Sequence, residues 1–177
     1  MLLRRRPGRL LAAGLALAAA GCAPDAPSDR EILEQAERLP QPRPGRYSST
    51  TRLAAFELPR ASPQEADRLR TRMGGLEPQR NEFCLTPEQA REGFAEMLKR
   101  SQQGNCRFER FGADERQLSA EMRCEGPGAG SSVIRMKGTA AAEASRMTLS
   151  VEQRAPAIPG GELRMELEIS NRRIGDC

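Results

Sequence analysis

The sequence has no histidine and no tryptophan, one tyrosine and five phenylalanines, and two lysines (Lys99 and Lys137) against 26 arginines. Without histidine no Ser-His-Asp or Cys-His pair can be built, and histidine-held zinc and the two-histidine iron triad are excluded. With aromatics confined to Tyr47, Phe56, Phe83, Phe94, Phe108 and Phe111, a core must come from Leu, Ile, Val, Met and Ala. That is a modest supply of apolar area for a chain of this size. No basic stripe is interleaved with aromatics, so nucleic acid as a partner has no support. No apolar run reaches the roughly 20 residues that span a bilayer as a helix.

The longest such run, Leu10 to Ala20, follows a start carrying Arg4, Arg5, Arg6 and Arg9 without an acid. A basic start, a short apolar stretch and small residues at its end mark a secretory signal over residues 1–21. Ala19-Ala20-Gly21-Cys22 resembles a bacterial lipobox, with Ala19 where Leu is usual. The expectation is a lipoprotein whose Cys22 sulfur carries the diacylglycerol anchor. Ala23, rather than Asp, follows that Cys and points to the outer membrane over the inner. The charge of +4 belongs to the export signal. Once residues 1–21 are removed, 24 basic side chains balance 24 acidic ones.

Of the five cysteines, Cys84, Cys106, Cys124 and Cys177 remain. An even number in an exported chain reads as two disulfides. A four-cysteine zinc site is disfavoured by the long gaps and the lack of a Cys-x-x-Cys knuckle.

Residues 22–45 hold Pro24, Pro27, Pro40, Pro42 and Pro44 and read as a stiff tether. Inside it, Ser28 and Glu31 form a capping box for a short helix, with Ile32, Leu33 and Ala36 on one side; weak docking at most is expected. Residues 46–177 form the folded domain. Arg46 to Leu58 is a first strand. Ser62-Pro63-Gln64-Glu65 starts a helix with Ala66, Leu69 and Met73 on one side, ended by Gly74-Gly75. Asn81 to Leu85 is a short strand, and Thr86-Pro87-Glu88-Gln89 opens a second helix burying Ala90, Phe94, Met97 and Leu98. From Cys106 onward the period becomes two, in runs separated by Gly-, Pro- and Ser-rich turns. This predicts an antiparallel meander with one dry and one wet face. The fold class is therefore α+β: a curved antiparallel sheet of six or seven strands with two helices packed on one face.

A hairpin centred near Glu115 that pairs Phe108 with Met122 sets Cys106 opposite Cys124. Opposed Cβ atoms lie about 4.5–5.5 Å apart, close to disulfide reach. Cys84 is then left for Cys177, a bond across more than ninety residues, for which loop entropy gives roughly 4–5 kcal/mol as an upper figure.

Other chemistry is sparse. Glu162, Glu166 and Glu168 share a strand face, and Asp114 and Glu115 sit in a turn; a carboxylate hydrolase needs such a pair across a cleft. Alternation instead makes them a solvated face and a polar turn. Gly126 to Gly130 lacks the Lys-Ser/Thr and the following helix of a phosphate loop and reads as a turn. Arg172 and Arg173, near Asp176, are expected to pair locally rather than hold an anion. No cofactor is expected, and the chain is read as non-enzymatic. Its partners are the membrane, through the anchor, and an apolar ligand under the Met- and Leu-rich face or an envelope protein met by the Arg/Glu faces.

Phe83-Cys84-Leu85-Thr86-Pro87-Glu88 and Arg172-Arg173-Ile174-Gly175-Asp176-Cys177 resemble hallmarks of the bacterial domain of unknown function 3617 family. The order of signal, tether, strand, helix, Cys-Leu-Thr-Pro element, helix, Cys-containing hairpin and terminal Gly-Asp-Cys is similar too, over about residues 38–177. The resemblance implies export to the envelope and assigns no activity. It carries over Cys84, Cys106, Cys124 and Cys177 as staples.

Overall fold

The structure, a computed structural model, describes residues 26–73, 77–93, 103–126 and 130–177. The signal, Cys22, Gly74-Gly75 and the Phe94, Met97 and Leu98 half of the second predicted helix lie outside the described residues.

Three short helices carry the predicted caps. In α1 (Asp29–Ala36), α2 (Pro63–Arg72) and α3 (Pro87–Glu92), a Ser or Thr at the N-cap accepts from the backbone three residues on, and the Glu or Gln there reaches back. Two of the four unpaired N–H groups at each helix start are thereby satisfied. Proline opens α2 and α3, where its missing N–H costs nothing.

Seven antiparallel strands form one sheet: β1 (Gly45–Glu57), β2 (Gln79–Leu85), β3 (Cys106–Ala113), β4 (Gln117–Glu125), β5 (Ser131–Ala141), β6 (Ala144–Arg154) and β7 (Glu162–Gly175). The spatial order is β2-β1-β7-β6-β5-β4-β3. The last five strands are a meander, and β7 returns to pair with β1, which pairs with β2. The β3–β4 hairpin sets Phe108 opposite Met122 and Cys106 opposite Cys124, the register that its alternation predicts. A bulge at Glu109 then carries the ladder to Arg110 opposite Glu121. Asp114 closes the turn by accepting the N–H groups of Arg116 and Gln117 at 2.9 and 2.7 Å. These two bonds hold its carboxyl below the ordinary value.

The dry face gathers Phe108, Ala120 and Met136 with partly buried Phe111, Met122, Ile134, Met147 and Leu149. Its cover differs from the expectation in one respect. Ile32 of α1, inside the proline-rich stretch read as a tether, is the most buried large side chain at 1% exposure and joins this cluster. By contrast, α2 has no buried residue, and Met73 at its end is 42% exposed. The capping box starts α1, and an isoleucine in contact with Phe108 and Met136 outweighs the flanking prolines. In α2 the half-buried residues are Ala66, Leu69 and Arg70, too little apolar surface to fix an exposed ten-residue helix to the sheet.

Two disulfides are present: Cys106–Cys124 across the β3–β4 hairpin, with Cα atoms 4.0 Å apart, and the long-range Cys84–Cys177, 5.8 Å apart. Arg46 of β1 pairs with Cys84 on one side and with Gly175 on the other. The C-terminus therefore passes around the start of β1 to reach β2. Gly45 permits this passage. Its φ is +143°, and a Cβ there would lie 2.5 Å from both the Gly175 carbonyl and Arg173 Nε.

Candidate functional site

On a sheet, directly opposed residues share a face, so the register reads out the wet face row by row. At the end away from the Cys106–Cys124 bond the opposed residues run Arg80, Thr50, Ser170, Arg146, Thr139, Gln117 across six strands. Arg172 lies one row further on, between Ser48 and Ala144. Arg116 adjoins the same end, because Ala140 donates its N–H to the Arg116 carbonyl at 2.8 Å. Together these residues border a groove of about 1030 Å³. Its described lining contains Arg80, Arg116, Arg146 and Arg172 and no carboxylate.

The opposite end of the wet face is neutralised. Glu121 accepts from Arg110 at 2.8 Å and from Arg135 at 3.1 Å, and Arg135 donates to Glu152 at 2.6 Å. Arg110, joined by Arg135, holds the Glu121 carboxyl below its ordinary value against the opposing effect of burial. Arg135 does the same for Glu152. Three acids on the strands and turn bordering the groove are paired: Glu168 with Arg52 at 2.6 Å, Glu143 with Arg43 at 2.8 Å and Glu82 with Arg46 at 4.0 Å; beside Arg116, Asp114 accepts the Arg116 N–H in the β3–β4 turn. The four groove arginines have no ion-pair partner among the described residues, and all four are exposed.

The groove's rim is fixed. Tyr47 is buried, stacks on Phe83 with ring centroids 5.7 Å apart, and points its hydroxyl at the carbonyls of Arg43 and Ala142, at 2.8 and 3.2 Å. Burial raises its pKa. The Arg43 N–H donates to Ala142, and Arg173 N–H to the Glu143 carbonyl. The segment preceding β1, the β5–β6 turn and the end of β7 are thus tied together.

The residues singled out from the sequence separate. Arg173 donates to the Pro44 carbonyl at 2.9 Å and pairs with Asp176, whereas Arg172 faces the groove. Glu162 pairs with Arg164 at 2.7 Å and Glu168 with Arg52. Glu115 is exposed in its turn. Wherever a carboxyl is shifted it is lowered, the opposite sense to a general acid. Among the described residues no group of three or more potential metal ligands comes together. No described helix is long and apolar enough to cross a membrane, which says nothing of strands. The sequence reading passed over the groove because its arginines come from four separated segments, and only the strand register aligns them.

The sequence model of a family described as "Protein of unknown function (DUF3617)" matches residues 42–177, which include all seven strands and all four disulfide cysteines. The chain belongs to the DUF3617 family. No curated protein and no solved structure matches it. The DUF3617 match begins after α1, so the helix that seals the dry face lies outside the matched span. The groove is built almost entirely within that span, with Pro40 at its rim.

Proposed function

We propose that this DUF3617 protein is an exported envelope lipoprotein, held through Cys22 to the periplasmic side of a membrane, the outer one by preference, and that it acts as a non-enzymatic binding module through its wet sheet face. The observation that carries the binding reading is the split of charge on that face. At one end Glu121 and Glu152 are paired with Arg110 and Arg135, and the other end leaves four arginines in a groove whose described lining holds no acid. The dry face is less suited to an apolar ligand where Ile32 of α1 is buried in its cluster with Phe108, Ala120 and Met136. Export is supported by the signal-like residues 1–21 and by two disulfides, which persist in oxidising compartments.

Mass spectrometry of the intact protein extracted from membranes tests the anchor. The expected result is an N-terminus at Cys22 bearing a diacylglycerol. A chain that begins elsewhere, or an unmodified Cys22, contradicts it.

A further inference from the structure

The groove's chemistry can be read further. Strands stand about 4.8 Å apart. Arg80 on β2 and Arg146 on β6 are three strands apart in one row, hence about 14 Å between their backbones. Arg172 is the diagonal neighbour of Arg146, offset by two residues from its partner Ser170, within reach for long side chains. The cations therefore form two poles, Arg146 with its diagonal neighbour Arg172 on one side and Arg80 on the other, while Arg116 stands further off at the start of β4. Between them the row holds Thr50 and Ser170, with Thr139 just beyond. Guanidinium forks bind phosphate oxygens in pairs, and hydroxyls both donate and accept, as sugar hydroxyls require. The described lining holds no aromatic ring on which a base could stack. Its volume is that of a small-molecule site.

We propose that the groove binds a phosphorylated glycan of about disaccharide length, with a phosphate on the Arg146–Arg172 pole, a second on Arg80, and sugar hydroxyls on Thr50 and Ser170. This deepens the binding reading above and rests on it, while the anchor is tested separately at Cys22.

Titration calorimetry of the oxidised chain decides it, with a disaccharide bisphosphate, the same disaccharide without phosphates, inorganic phosphate and phosphatidylglycerol vesicles as probes. The expected result is saturable one-to-one binding of the bisphosphate, weakening with ionic strength, and at least tenfold tighter than that of inorganic phosphate or the bare disaccharide. R146Q/R172Q and, separately, R80Q should each weaken it at least tenfold. R110Q, in the paired ladder, should change it less than twofold. Circular dichroism and the intact disulfides verify that each variant is folded; the substituted groove arginines are exposed and bear no described ion pair, so folding should persist in those variants. Equal binding by the groove variants and the wild type overturns the proposal, as does no binding of the bisphosphate at millimolar concentration. Inorganic phosphate binding as tightly as the bisphosphate leaves only a simple anion site. Binding to vesicles in place of the soluble bisphosphate assigns the groove to a lipid surface. Either of these results also overturns it. Failure here with Cys22 acylated removes the ligand class and leaves the anchor standing.

Discussion

The charged residues of the wet face differ by whom they meet, and that difference was invisible in the sequence. Arg135 and Arg146 occupy equivalent wet positions on neighbouring strands of a meander, yet Arg135 lies between Glu121 and Glu152, while Arg146 faces Thr139 and Ser170. Alternation correctly assigns both to the wet face; only cross-strand register shows which has a partner. The cysteines are the opposite case, since the alternation of Cys106 with Phe108 and of Met122 with Cys124 is local, and on the far side of the bulge from the turn it sets the two cysteines opposite each other, leaving the remaining pair. The Glu121 ladder gives a pH dependence with a definite sign. Its carboxyl is held below its ordinary value of 4.5 in the folded chain, so its contribution to stability is complete above about pH 4.5 and is lost as pH falls through the lower, folded value. Urea unfolding midpoints measured from pH 6 to pH 3 should decline at the acid end. E121Q should flatten that decline, and an identical decline in the variant would show that the ladder is not its source.

Helices show where local signals suffice and where they do not. All three capping boxes were legible, because Ser or Thr with Glu or Gln three residues on is a local bargain between side chain and backbone. Which helix would dock was not legible, because docking depends on what lies opposite. In α1 Ile32 joins the cluster of Phe108, Ala120 and Met136, with Leu33 packed against it, whereas α2 has no buried residue. Ile32→Ala should therefore destabilise the protein by about 2 kcal/mol. That is the low end for a buried Ile→Ala change, since a short eight-residue helix can undock rather than leave a cavity. Chemical denaturation measures the loss. No change would show that α1 does not contribute to the core, and the matching A66G change in exposed α2 should cost at most about 1 kcal/mol.

Across the molecule, an open sheet with an aromatic-poor core is closed on itself by covalent bonds. Cys84–Cys177 spans 93 residues and Cys106–Cys124 spans 18. In the loop-entropy picture the longer bond contributes about 1.5 kcal/mol more than the shorter. It also holds the C-terminal segment over Gly45 and so fixes the end of β7 that presents Arg172. The fold class was legible because strand alternation and turn residues agree along the whole C-terminal half. The groove was not, because it exists only once β2, β1, β7, β6, β5 and β4 are laid side by side.

Oxidation state ties the fold, the compartment and the groove together. Peptide mapping of protein isolated from cells, with free thiols alkylated before lysis and no reductant added, should yield linked peptides joining Cys84 to Cys177 and Cys106 to Cys124. Folded protein with these four thiols alkylated, or a Cys84–Cys106 link, would contradict the account.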